Sequence, residues 1–483
     1  MRLRVAASLS LLSLIVACGG PKDGDGGDAS DGGSQSATDA SASASGSGSE
    51  SEGESSTTGE PFEPYTARGL RITRVEANPG VAVPIGLDGE AVEGAGRNAY
   101  LPPRRDTLIR AYVAVDDDWV TRSIEARLTL TQQDGTETTL TDTFEIDGDT
   151  FPGKLTSGIN FGVPAELMLP GVQYRMTLWE TAWGYEDQPE ADPPAAAPYV
   201  GSAFIGVEDT YLNLRVVVVP VDYKFGTCQA VVDGEAIRKS FEDNLFQQNA
   251  LESIELEIHA PHKVTYDMTS MNGLNKLVNE MSQMRAADGV DPNVYYYGIF
   301  DSCGACIGGG GGISTGCTVG LAADITGASK SDAYGRAAAG QMKAEPAATF
   351  THEIGHTQGR RHIACPGGNS AGNDPSYPYA NGEIHVWGFG VRDFALRHPT
   401  ASYDYMSYCG NTWCSDWEWN ATFQRIQILS GWEMEGEAEP EGPGLLIGAI
   451  APDGSEEWWT SPGSLGDAER SATTASPSTS AAR

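Results

Sequence analysis

Basic residues are scarce in this chain: 31 Lys and Arg stand against 66 Asp and Glu, a formal net charge of −35 over 483 residues. So acidic a surface repels a phosphate backbone, which argues against nucleic acid as a partner. Long apolar runs are also missing. The run at the front, Val5 to Ala17, is broken by serines and falls short of the roughly 20 residues that a permanent membrane span needs. Because it follows Met1-Arg2-Leu3-Arg4, it reads as a secretory signal that is removed on maturation. From Gly19 to Pro61 there is no aromatic residue and no aliphatic side chain larger than alanine. That stretch cannot bury enough apolar surface to fold, and its like charges favour an extended, flexible acidic tether. The five glycines Gly308 to Gly312 are not followed by Gly-Lys-Ser/Thr, so they are not a phosphate loop.

Against this background one stretch is dense in chemistry: His352-Glu353-Ile354-Gly355-His356-Thr357-Gln358-Gly359-Arg360-Arg361-His362. Residues four apart share one face of a helix, so His352 and His356 can aim at a single ion. Glu353 follows the first of them, close to the metal without being forced to bind it, where it can act as a general base on water. Gly359 permits the left-handed backbone that ends a helix, and the chain can then turn to bring His362 back as a third ligand. Three histidines leave one coordination position open, the count of a catalytic rather than a structural zinc site. Isolated short motifs also arise on ordinary helices, and a histidine in a core is usually only a satisfied polar group.

The extended pattern resembles the metzincin clan of zinc endopeptidases, whose signature HExxHxxGxxH is followed by a methionine turn. Ser402-Tyr403-Asp404-Tyr405-Met406-Ser407-Tyr408-Cys409 supplies that second half, with Met406 as the turn methionine beneath the ligands. Tyr408 matches the tyrosine that astacin-like and serralysin-like members carry near the metal. The resemblance implies that it can ligate zinc at rest and stabilise the oxyanion during turnover. The chain departs from the familiar members at two positions: Ile363 follows the third histidine, and Arg360 stands where many members carry leucine. The block looks like a group of bacterial secreted metallopeptidases, near the mucin-cleaving lipoprotein proteases.

The end of the signal, Ile15-Val16-Ala17-Cys18, resembles a bacterial lipobox, in which cleavage exposes a cysteine that is acylated. The alternative is an ordinary secretory signal with an incidental cysteine. Gly19, where an aspartate would favour the inner membrane, points by resemblance to the outer membrane or cell surface. Seven further cysteines, an odd number, suit an oxidising compartment and allow up to three disulfides. Cys365 and Cys409, each three residues beyond a site residue, are candidates to join the two arms of the site. Cys303 and Cys306 have the spacing of a metal pair but lack a second pair.

The expected organisation is a multidomain one: a lipoprotein signal (1–18), an acidic linker (19–66), an all-β sandwich (67–207), a metallopeptidase unit of α/β (α+β) zincin type (208–435), a β-hairpin extension (436–470) and a disordered tail (471–483). Leu70–Val75, Leu108–Val115, Ile124–Leu130 and Tyr174–Trp179 alternate as strands, with turns at Gln133–Thr136 and Asp147–Asp149. The sandwich is either a spacer in contact with the peptidase or a substrate-binding module. Leu212–Val221 reads as a strand buried on both faces. Helices over 234–249 and 274–284 and strands over 254–259 and 294–300 follow, the order in which the resemblance builds the upper part of a metzincin. The loop from Cys303 to Cys317 is either a disulfide-clipped mobile loop or the rim along which substrate lies. His385 and His398 read as solvated loop histidines, and Trp413, Trp417, Trp419 and Trp432 as core.

The function these features imply is a zinc endopeptidase acting on extracellular proteins or glycoproteins, with one catalytic zinc ion and a membrane attachment through acylated Cys18. The alternative is a catalytically silent surface lipoprotein that binds glycans or adheres through a metzincin scaffold.

Overall fold

The computed structural model describes residues 62–307, 317–323, 327–343, 345–368, 372–434, 445–450 and 456–461. Cys18, the signal, the acidic stretch to Pro61, the five-glycine run and the C-terminal tail lie outside the described residues. The described part is rich in β-sheet.

Two antiparallel sheets come first. One runs in the order Glu90–Ala91, Val83–Leu87, Leu70–Asn78, Thr107–Val115, Ile159–Val163. The other runs Ala203–Phe204, Gln173–Glu180, Arg122–Thr131, Glu137–Ile146, with Ala196–Ala197 also paired to Gln173–Glu180. Burial alternates residue by residue along Arg122–Thr131 and Gln173–Glu180, as one wet face and one packed face require. The packed faces meet: Phe144 of one sheet stands edge-on to Phe161 of the other at 5.8 Å, and the Tyr174 hydroxyl donates to the Ile85 carbonyl across the gap. All four strands expected here are present. Val83–Leu87 and Glu137–Ile146 escape the pattern for different reasons. The first carries Pro84 and Gly86, which read as a loop; the second is an edge strand wet on most of its length, whose apolar alternation, Leu140, Phe144 and Ile146, is interrupted by Asp142.

The third sheet is built on Asn213–Phe225. It pairs in parallel with Ser253–Ile258 and His262–Val264 on one side and with Tyr295–Phe300 on the other, and antiparallel with Cys228–Val231. Ala337–Gln341 continues the parallel run, and Gly320–Ala322 closes it as an antiparallel edge strand. The unbroken valine run has a simple cause. Leu214, Val216 and Val218 face a core shared with Phe241 and Phe350, while Val217, Val219 and Val221 face a second core with Leu274, Leu277 and Met281. Helices α1 (Gly234–Gln248) and α3 (Pro346–Thr357) therefore cover one face and α2 (Met271–Ala287) the other. Asp233 caps α1 by accepting from the Glu235 and Ala236 amides, and Ser270 caps α2 through the Gly273 amide. Phe350 of α3 stacks on Phe241 of α1 at 4.6 Å and meets Tyr297 of the sheet at 4.9 Å, which fixes α3 against both.

One apolar core runs from the antiparallel sheets into the first face of this third sheet. Buried polar contacts cross the same boundary. Arg105 is fully buried and donates to the carbonyls of Pro79, Phe246, Gln247, Asn249 and Leu251, so it satisfies the open end of α1. The indoles of Trp413 and Trp419 donate to the Gly80 and Tyr100 carbonyls. Both rings are buried, and Trp417 and Trp432 pack partly buried against the same core. Leu445–Ile450 and Glu456–Ser461 pair as the expected hairpin.

Three disulfides join Cys228 to Cys303, Cys306 to Cys317 and Cys365 to Cys409, and Cys414 is a buried free thiol. Such cysteine use fits an exported protein in an oxidising compartment. The Cys303 and Cys306 sulfurs are thereby taken, so that spacing does not mark a metal site. No helix among the described residues is long and apolar enough to cross a membrane.

Candidate metal centre

Helix α3 carries the first three residues of the site on a buried surface. Its end is built as the sequence leads one to expect: Gly359 has φ of 93°, the Gly359 amide donates to the His356 carbonyl, and the Arg360 amide donates to the Gly355 carbonyl. This pair of bonds is the Schellman arrangement, which stops the helix and turns the chain back. His362 then comes to lie with its ring 4.6 Å from that of His356 and 5.4 Å from that of His352. One nitrogen from each of the three imidazoles lies within 4.8 Å of the others, a set that could hold a metal ion.

The protonation pattern suits metal binding. His352 Nδ1 contacts the Tyr405 carbonyl at 2.8 Å, and His356 Nδ1 contacts the Arg360 carbonyl at 2.8 Å. A carbonyl only accepts, so each Nδ1 carries the proton and each Nε2 presents a lone pair to the centre. Burial disfavours a second proton: it takes His352 down to about 3, helped by neighbouring His356, and His356 down to about 4. The His352 Nε2 is buried without a protein partner, and the Nε2 atoms of His356 and His362 stand 3.0 Å apart. A buried, unsatisfied acceptor beside two converging imidazoles is a cradle for a cation.

Glu353 is buried one residue along from His352, and desolvation pushes its carboxyl up to about 8. It is crowded by the edge strand: a Cβ placed on Gly320 would lie 2.4 Å from Glu353 Oε1. Gly320 is therefore glycine because the backbone of the sheet edge passes directly over the carboxylate. Tyr408 is 54% exposed, with its ring 4.7 Å from His362 and 5.7 Å from His352. Burial of its inner part, and the Glu353 charge, raise the phenol above its usual range.

Met406 is fully buried beneath α3. A Cβ on Gly355 would come within 2.5 Å of Met406 Sδ, so the small residue inside the signature lets the methionine approach the helix. The segment after His362 is tied to the methionine turn twice, by the Ile363 amide to the Met406 carbonyl at 3.0 Å and by the Cys365–Cys409 disulfide. His385 stacks on Tyr379 and His398 packs against Trp387, and neither joins the triad.

Several residues of the site are not apparent from sequence. Arg360 forms a two-pronged ion pair with Glu418, which is 0% exposed, and lies over the Trp417 ring at 4.5 Å. Asp404 is buried below the turn and accepts from the Met406 amide and from Ser415 Oγ. Ser415-Asp416-Trp417-Glu418 has the Ser-x-x-Glu form of a helix start, and Ser415 Oγ does cap α4 (Asp416–Met434) at the Glu418 amide. That signal locates the helix, but the Glu418 carboxylate turns to Arg360.

No protein-family model matches the chain, and no curated protein matches it. Among solved structures, a chaperone–substrate complex is similar at 13% identity, covering 56% of this chain and 39% of that one, with a TM-score of 0.24. A putative beta-galactosidase from Bacteroides fragilis is similar at 9% identity over 48% and 38% of the two chains, with a TM-score of 0.14. A cycloisomaltooligosaccharide glucanotransferase from Paenibacillus sp. is similar at 13% identity over 47% and 28%, with a TM-score of 0.15. The chain thus spans less than two fifths of these structures, and likeness at such scores says nothing about function.

Proposed function

We propose that this chain is a zinc-dependent endopeptidase of the metzincin type, exported and held at a bacterial cell surface by acylated Cys18. The observation that supports it most is the convergence of one ring nitrogen from each of His352, His356 and His362 beside the buried Glu353 carboxyl. The donor set fits zinc: neutral imidazoles are preferred ligands, and three protein donors rather than four is the catalytic count. Bound there, zinc would supply a Lewis acid for the scissile carbonyl and for water.

The chain's own residues then have distinct tasks. Glu353 takes a proton from the water whose oxygen bonds to the scissile carbon, and returns it to the nitrogen as the C–N bond breaks. Burial favours the protonated form of that carboxyl, which eases its uptake of the proton from water. Tyr408, half in solvent beside His362, donates a hydrogen bond to the developing oxyanion; loss of such a donor typically costs about 10²–10³ in rate. The edge of Gly320–Ala322, which passes over Glu353 and pairs with no further strand among the described residues, offers backbone groups to an extended peptide. An exported protein or glycoprotein is the matching substrate class.

The test compares the zinc-loaded full chain with its Glu353→Ala variant on a denatured protein mixture and a mucin-type glycoprotein, reading new amino termini by mass spectrometry. New termini from the parent alone are expected. Zinc uptake with no new termini from either would turn the assignment to the silent, surface-binding alternative.

A further inference from the structure

A buried ion pair beside the triad has no obvious value for stability. Replacing such a pair by well-packed apolar side chains is often neutral or stabilising, because both charges lose their hydration. Yet Arg360 and Glu418 sit with side chains 14% and 0% exposed, joined at both prongs of the guanidinium. The position of Arg360 explains what the pair does. Its carbonyl is the acceptor that orients the His356 ring, its amide closes the end of α3 on the Gly355 carbonyl, and its guanidinium is clamped between the Glu418 carboxylate and the Trp417 ring. Every handle on the residue is fixed.

The same polar path continues to the second histidine. The Glu418 amide donates to Ser415 Oγ at 3.1 Å, Ser415 Oγ donates to Asp404 Oδ2 at 2.6 Å, and Asp404 Oδ1 accepts from the Met406 amide at 3.0 Å. That last bond fixes the peptide unit joining Met406 to Tyr405. The Tyr405 carbonyl, the acceptor of that unit, is the one that orients His352. The two carbonyls that set the tautomer and aim of two histidines therefore hang from one buried network. None of its side chains belongs to the triad.

We propose that the Glu418 carboxylate is a positioning group for the metal centre: through Arg360 it fixes the carbonyl that aims His356, while the Glu418 amide, Ser415 and Asp404 hold the carbonyl that aims His352 whatever side chain stands at 418. The inference rests on the metal-binding reading of the triad. Partners of this kind, one shell out from the ligands, are commonly worth about 10–100-fold in metal affinity.

The experiment uses the full chain and zinc alone, with affinity measured by competition against a chromophoric chelator and geometry by the visible spectrum of the Co(II)-substituted protein. Glu418→Gln is compared with Glu180→Gln, which weakens another buried ion pair, Arg122–Glu180, in the antiparallel sheets. Glu418→Gln is expected to weaken zinc binding about 10–100-fold and to shift the Co(II) spectrum, whereas Glu180→Gln lowers thermal stability and leaves both unchanged. Parent-like affinity and spectrum in Glu418→Gln would overturn the proposal, and so would an equal loss of affinity in Glu180→Gln. If Glu418→Gln does not fold, Arg360→Lys decides: it keeps the charge but loses the fork, and about 10-fold weaker zinc is expected where parent-like zinc overturns. A parent that takes up no zinc overturns the metal reading itself, a result distinct from a parent that binds zinc and a variant that binds it equally well.

Discussion

Glycine at position 320 is the sharpest single lever on the proposed chemistry. A methyl group there would stand 2.4 Å from Glu353 Oε1 and 2.7 Å from its Cγ, whereas ordinary contacts of a Cβ begin near 3.4 Å. The carboxylate of a Gly320→Ala variant must therefore retreat by about 1 Å, and a misplacement of that size costs on the order of 10²-fold in rate. The strand is also pushed, at about 1–3 kcal/mol of stability, the usual range for overpacking. The His352 and His356 rings are oriented from elsewhere, by the Tyr405 and Arg360 carbonyls, and His362 is carried by the segment after α3, so zinc affinity should not change. The assay is kcat/KM on a peptide substrate alongside zinc content and thermal unfolding. The expected result is about a 10²-fold fall in kcat/KM with one zinc retained. Parent-level kcat/KM in a folded, zinc-loaded variant would refute the idea that the position of Glu353 against the sheet edge governs turnover.

Other consequences follow from the same geometry. Arg105→Ala strips the donors from five buried carbonyls, four at the end of α1 and one at Pro79, and should cost about 3–5 kcal/mol in urea unfolding; a change under about 1 kcal/mol would mean that water replaces the guanidinium without loss. Removing the Cys365–Cys409 bridge with paired serines frees a loop of 44 residues in sequence separation and should cost about 3–4 kcal/mol, along with any activity that depends on Tyr408, its neighbour; unchanged unfolding would show that the turn is held by its hydrogen bonds alone. Glu353→Gln should alter how stability depends on pH in chelator-treated protein. The carboxyl titrates at about 8 when folded against an ordinary 4.5, so below 4.5 both states hold the proton and between 4.5 and 8 only the folded state does. Rising pH then destabilises the parent relative to the Gln variant, by about 3–5 kcal/mol at pH 8. Parallel stability curves for the two proteins would show that the carboxyl is not desolvated.

What sequence reveals here depends on how local the physics is. His352, Glu353 and His356 are legible because one helical face fixes their relation, and Gly359 because only a left-handed residue ends the helix there. The strand from Asn213 is legible because both its faces are buried, which leaves an unbroken apolar run. Arg360 and Glu418 are 58 residues apart and meet only through the fold, so neither advertises the other. Gly320 looks like any loop glycine until the sheet edge is laid over Glu353. Among the cysteines, Cys365 and Cys409 flank the two arms that the motif already requires to be close. Cys303 and Cys306, neighbours in sequence, go to different partners, which spacing alone does not disclose.

The central claim, that His352, His356 and His362 hold a catalytic zinc ion, is tested most directly by zinc-edge X-ray absorption on the full chain carrying one equivalent of the metal, beside a His362→Ala variant. Three imidazole nitrogens at about 2.0–2.1 Å with one oxygen donor completing the sphere are expected, with the loss of one imidazole in the variant. A sulfur shell near about 2.3 Å, or a sphere that does not change when His362 is removed, would contradict it.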